Sequence, residues 1–395
     1  MGSRPFSKLA LQAGVLRPLQ GILPCAWGLA GRRGLDVTEA DIIEALLAFI
    51  DRGEATEAEF ERMALDVFAY QFARNQPYRR FAIQRGRTTL TVRNWRDIPA
   101  VPITAFKDLT LSCTPPEAAQ AVFMTSGTTQ GGIRGKSHHP TLAVWDRSML
   151  VNFRKRFMQG RERIAMGILF PDEAAMPNSS LAHYLALAKR ECGTPASEGF
   201  IGADGLDLAW VIAALERAEA SGQPYALLGA SYSFVHMLDA LAAAGRRFTL
   251  PEGSRILDTG GFKGQSREMG PDAFYDALSA ALGVPRAVCI NMYGMTELST
   301  QFYDGGNAIC PPVKSGPHWI RSRVVDPVTG HDLPEGATGV LVHHDLAHFN
   351  CASAILTEDA GIIVEGGFKL LGRVDGADSR GCSLAVAEFL KAARG

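Results

Sequence analysis

The chain carries almost no excess charge. Its 40 lysines and arginines meet 41 aspartates and glutamates across 395 residues, so no overall field draws it to nucleic acid or to an anionic membrane. Any anionic partner has to be met by a local site. Long apolar runs are also missing, and none approaches the ~18 residues of a membrane-crossing helix, which argues against stable membrane insertion. The seven cysteines (25, 113, 192, 289, 310, 351 and 382) are scattered, odd in number and free of any C-x-x-C pair. That pattern argues against a disulfide framework or a zinc ribbon and fits reduced thiols in a cytoplasmic protein. No G-x-G occurs, so a dinucleotide fingerprint is absent. Gly229-Ala-Ser231-Tyr-Ser lacks the closing glycine of a hydrolase elbow and reads as strand-to-helix packing.

What the chain does have is concentrated in Phe123-Met-Thr-Ser-Gly-Thr-Thr-Gln-Gly-Gly-Ile-Arg-Gly-Lys136. Four hydroxyl side chains, four glycines and a lysine fall within a dozen positions after the end of an apolar strand starting at Ala121. Glycines let backbone N–H groups turn inward, and hydroxyls add donors, a combination suited to polyphosphate oxygens. The spacing Gly131-Gly-Ile-Arg-Gly135-Lys136 is one residue short of a Walker P-loop. The plainer alternative is a surface loop between a strand and a helix. A second signature, Asn291-Met-Tyr-Gly-Met-Thr-Glu297, directly follows an apolar strand and offers an aromatic ring for a base and a carboxylate for Mg²⁺. A third combines Thr357-Glu-Asp359 with Leu371-Gly-Arg373-Val-Asp375; an aspartate suits ribose hydroxyls and an arginine suits a phosphate or carboxylate.

Around these lie alternating strands and helices. Thr38-Glu-Ala-Asp41 caps a helix running through Phe49, and 58–74 repeats the helical period. Strands are expected at 164–170, 226–229, 255–259 and 287–293, with helices at 180–190 and 231–244 between them. From Val324 the texture turns to hairpins. The expected fold class is α/β: a large layered α/β domain with a small β-rich subdomain. The expected boundaries are an N-terminal extension over 1–35, the main domain over 36–323, the β-rich part over 324–370, and a hinge with a short tail over 371–395. Residues 1–35 hold five basic residues and no acid, interrupted by Pro5, Pro18 and Pro24, and read as a loosely ordered or helical extension or a targeting segment.

The three signatures, in this order, resemble the adenylate-forming superfamily of acyl-activating ligases. Within it, Val101-Pro-Ile-Thr-Ala-Phe-Lys107, Thr259-Gly-Gly-Phe-Lys263 and Arg380-Gly-Cys382-Ser resemble the acyl-protein synthetases of the bacterial luminescence fatty-acid reductase system. The resemblance covers roughly 95–390 and implies that type of fold, with a truncated C-terminal domain: thirteen residues follow Cys382, where the superfamily has a domain with a catalytic lysine. It implies ATP and Mg²⁺ as cofactors and a carboxylic acid, in the first instance a fatty acid, as substrate. Thr125, Ser126, Gly127, Thr128, Thr129 and Lys136 would hold the β- and γ-phosphates. Gly260 and Gly261 would line the adenine, with Tyr293 and Gly294 against it. Thr296 would touch the α-phosphate, Glu297 would hold the metal, Asp359 would bind ribose and Arg373 would lie near the nucleotide. Cys382 would accept the acyl group as a thioester, for a reductase or carrier protein. The alternatives are an acyl- or aryl-CoA ligase of the phenylacetate type, or a silent nucleotide-binding subunit of a reductase complex.

Elsewhere, His344 and His348 with Cys351 have a spacing that could suit zinc, but they are expected to be solvated or packed. His138 and His139 could face the phosphate pocket or sit exposed at a helix start.

Overall fold

A computed structural model describes residues 37–126, 133–262, 265–374 and 387–393. The expected N-terminal extension lies outside them, as does most of the tail.

Two six-stranded sheets organise the chain. The first runs in the order Phe302–Tyr303, Cys289–Tyr293, Arg255–Thr259, Tyr225–Ala230, Ala165–Leu169 and Glu198–Gly199, all parallel except the Phe302–Tyr303 edge. Its strands alternate their apolar side chains between two cores. Ala226 and Leu228 pack with Phe153, Leu185 and Met292 on one face, while Leu227 joins Val235, Leu278 and Cys289 on the other. A strand buried on both faces needs no polar alternation, which is why these segments read as short apolar runs. The helices Ser180–Cys192, Leu208–Ser221, Ser231–Ala243 and Pro271–Leu282 make the crossovers. Ser179 and Asp207 cap the first two of these through their side chains.

The second sheet is mainly antiparallel: Val313–Lys314, Gly367–Arg373, Ala354–Val364, Thr338–Asp345 and Ile320–Val325. Val101–Pro102 adds to it in parallel, with Val101 opposite Ile355. The helices Glu39–Ile50 and Glu57–Arg74, each opened by a complete capping box, cover this sheet with Gln76–Gln84. Gln71 Nε2 donates to Phe349 O at 2.9 Å and Asn75 Nδ2 to Cys351 O at 2.7 Å, so the seam is polar as well as apolar. Among the described residues no helix is long and apolar enough to cross a membrane.

Candidate active site

The described residues on either side of the glycine-rich stretch pair as the two strands of a β-hairpin, so a strand and not a helix follows it. Ala121–Met124 pairs antiparallel with Lys136–His139, and the following helix begins only at Ala143. At the hairpin mouth, Thr125 N–H donates to Gly135 O and Gly135 N–H donates to Thr125 Oγ1, both at 3.0 Å. A Cβ placed on Gly135 would lie 3.3 Å from Thr125 Cγ2 and 3.4 Å from both Glu297 Oε1 and Phe106 Cβ. The first and second signatures therefore meet at one point, in close contact around Gly135. Ser126 and Lys136 are exposed on either side of the mouth. Gly127, Thr128 and Thr129 lie outside the described residues.

Continued pairing beyond the loop also settles the two histidines that follow it. His138 and His139 are buried strand residues, not an exposed helix start. His139 packs on the rings of Phe123 and His348 at 5.0 and 5.9 Å, and burial, helped by the His348 charge, holds its pKa well below the usual range. His344 and His348 are packed as well. His344 meets Trp95 edge-on at 4.8 Å, and His348 Nδ1 lies 3.0 Å from Ser299 Oγ. Burial lowers the His348 pKa to about 3.

The strands Arg255–Thr259 and Cys289–Tyr293 run side by side with Thr259 opposite Met292. Gly260 and Gly294 therefore leave the sheet at neighbouring carboxyl ends, the edge where open α/β sheets bind ligands. Gly260 has a φ of +80°, which favours glycine, and both Gly260 and Gly261 face open space. Thr259 Oγ1 donates to Met292 O at 2.8 Å and locks the two ends together. Below them, buried Asp258 accepts from Ser231 Oγ at 2.7 Å, Asn291 Nδ2 at 2.9 Å and Tyr275 OH at 3.0 Å. Sequence reasoning passed over this network. Its one signal was an aspartate inside the apolar run Ile256-Leu-Asp258.

The second and third signatures also meet. Tyr293 OH donates to Asp359 Oδ2 at 2.8 Å, and Arg373 Nε lies 3.3 Å from Asp359 Oδ1. Antiparallel pairing sets Asp359 directly opposite Arg373, and Arg373 Nη1 also bonds Glu358 Oε2 at 2.9 Å. The Tyr293 ring stands among Phe302, His343 and Phe368, with centroids 5.9, 5.6 and 5.7 Å away. Thr296 is half-buried in the turn beyond.

Glu297 closes that turn and is 6% exposed. Burial raises its carboxyl to about 7, while its own backbone N–H and the charges of Arg373 and Lys107 offset this only in part. A buried carboxylate short of positive charge fits a divalent cation. No group of three or more metal-ligating side chains exists among the described residues, so a cation here would be held by Glu297 together with ligand phosphates. The turn is anchored from the other sheet. The Asp345 carboxylate accepts from Ser299 N and Thr300 N at 2.8 Å each and from Thr300 Oγ1 at 2.7 Å. Cys382, the expected acyl acceptor, lies outside the described residues.

The family model for the acyl-protein synthetase LuxE matches residues 44–391. The chain belongs to this synthetase family. It is an adenylate-forming ligase: it joins a carboxylic acid to AMP from ATP and transfers the acyl group to protein. Two relatives are named long-chain-fatty-acid–luciferin-component ligase. The one from Vibrio harveyi is 24% identical over 344 residues, covering 84% of this chain and 88% of its own. The one from Aliivibrio fischeri is 21% identical over 345 residues, with the same coverage. An open form of 2-hydroxyisobutyryl-CoA ligase in complex with 2-HIB-AMP and CoA has the same fold: its TM-score is 0.59 at 15% identity, over 86% of this chain and 76% of that one.

Proposed function

We propose that this synthetase activates a long-chain fatty acid and passes it, through the thiol of Cys382, to an acyl-accepting reductase or carrier protein in the cytoplasm. The observation that carries the reading is the convergence of Thr125, Gly135 and Glu297, with Tyr293 and Arg373 both bonded to Asp359 beside them. The fatty acid rests on the names of the two relatives. The cytoplasmic setting suits the free thiols of Cys113, Cys192, Cys289, Cys310 and Cys351.

In this reading an oxygen of the substrate carboxylate attacks the α-phosphorus of ATP. The bond to the bridging oxygen breaks, and pyrophosphate leaves with the electron pair. Both partners are anionic, so the residues must offset repulsion. The hairpin mouth, with Thr125, Ser126 and Lys136, is assigned to the β- and γ-phosphates, and Thr296 to the α-phosphate. Glu297 is assigned to Mg²⁺, which when bound neutralises phosphate charge. Gly260 and Gly261 leave room for the adenine beside Tyr293, and Asp359 is assigned to the ribose with Arg373 at its side. The Cys382 thiolate then attacks the acyl carbon, the C–O bond to AMP breaks, and a thioester forms.

The test is acid-dependent ATP–pyrophosphate exchange over a panel of fatty, aryl and amino acids, followed by labelling with the active acid. Exchange driven by long-chain fatty acids is expected, with no need for coenzyme A. Cys382→Ala should keep exchange and lose the hydroxylamine-labile acyl label. Exchange with no acid on the panel would remove the reading, and a labile label on the alanine variant would remove the role of Cys382.

A further inference from the structure

A cleft of about 440 Å³ opens beside the glycine-rich hairpin. One wall is the hairpin, with Met124, Arg134 and Lys136. The other is the short helix Ala105–Asp108 and the residues after it, contributing Phe106, Lys107 and Thr110. Among the described lining residues Lys107, Arg134 and Lys136 outnumber the one acid, Asp108, which shares the short helix of Lys107, so the lining carries net positive charge. The hairpin cations are exposed, whereas Lys107 is half-buried and comes from a different part of the chain.

The position of Lys107 is built in. Val101 and Pro102 pair with Ile355 and Leu356, and Ile103 N–H donates to Leu356 O at 3.0 Å. That strand, Ala354–Val364, also carries Asp359. Phe106, next to Lys107, is buried, and its Cβ is 3.4 Å from where a Gly135 Cβ would stand, the same separation as Glu297 Oε1. Lys107 is therefore held by the strand of Asp359 and lies next to the point where the hairpin and Glu297 meet. Its charge already acts on Glu297.

We propose that Lys107 is a second polyphosphate-binding cation, facing Lys136 across the cleft and taking the β- and γ-phosphates and the pyrophosphate that leaves. An ammonium group serves as a point charge for phosphate oxygens. A lysine held by a sheet would be in place before the nucleotide arrives, so its gain on binding is not spent on ordering a loop. The inference deepens the adenylation reading above and rests on it.

The test compares Lys107→Met and Lys107→Arg with the full wild-type chain, each first checked for an unchanged unfolding temperature. The Michaelis constants for pyrophosphate and for the acid are read separately in the exchange reaction, and inorganic pyrophosphate alone is titrated by calorimetry. The methionine variant should lose about tenfold or more in pyrophosphate affinity and keep the Michaelis constant for the acid. The arginine variant should recover most of the loss. If Lys107 only balances the charge of Glu297, the methionine variant will shift the pH dependence of the metal requirement and bind pyrophosphate as the wild type does, which overturns the proposal. Should the wild type show no exchange with any acid, the adenylation reading fails. The pyrophosphate titration still decides on Lys107, because equal affinities in wild type and methionine variant would overturn it.

Discussion

At the scale of single residues, Glu297 sets the character of the site. Its folded pKa of about 7 stands above the ordinary 4.5, so between those values the folded chain binds more protons than the unfolded one. The stability linked to it is therefore complete below about 4.5 and lost as pH rises through about 7. Glu297→Gln removes a buried charge and should raise the unfolding temperature at pH 8, by an amount equivalent to at most about 3 kcal/mol. The gain should shrink toward pH 5. The same variant should lose exchange activity, since the cation would have no carboxylate to bind. Thermal unfolding without metal at both pH values checks this. A variant less stable than wild type at pH 8 would mean that the fold already compensates the charge.

At the scale of elements, close approach of backbones matters more than side-chain chemistry. Strand Tyr225–Ala230 runs beside Ala165–Leu169, and a Cβ on Gly229 would stand 2.6 Å from Leu169 O and 2.7 Å from Leu169 Cβ. Backbone atoms of a central strand cannot step aside cheaply. Gly229→Ala should cost about 1–3 kcal/mol, read as a lower urea midpoint with an unchanged slope. An unaltered midpoint would show that these strands can spread. The elements themselves were unevenly legible. Thr38 with Asp41 and Thr56 with Glu59 form the boxes that open two helices, and the first was readable from its spacing. The hairpin was not readable as such. Lys136-Ser-His-His139 has no apolar alternation, and its strand character comes from pairing with Ala121–Met124.

At the scale of the whole molecule, the C-terminal segment of the described chain packs back on the helix Gln76–Gln84. Phe389 in the helical segment 387–393 is fully buried, 4.6 Å from the ring of Phe81. Arg85 Nη2 reaches Glu388 Oε2 at 2.6 Å, and Arg80 Nη1 donates to Ala393 O at 2.9 Å. The ion pair is partly exposed and contributes little, so the ring dominates. Phe389→Ala should cost about 3–5 kcal/mol in denaturant unfolding, while Arg85→Ala should cost well under half of that. Equal losses would mean that the segment is held by charge.

Local patterning determined the α/β class, the capped helices and the identity of the three signatures, because helix caps, apolar runs and glycine-rich turns act over a few residues. It could also name Glu297, Asp359 and Arg373, through the resemblance their motifs carry. Only the tertiary structure decided how far these come together: that Tyr293 bonds Asp359 across 66 positions, that Gly135 packs against Glu297, and that Asp345 clamps the turn behind it. It also brought Lys107 to the hairpin cleft. The physical reason is that burial raises the pKa of Glu297 and that Gly135 packs against side chains from two distant parts of the chain. Both depend on what surrounds a residue in space, and sequence neighbours do not record it.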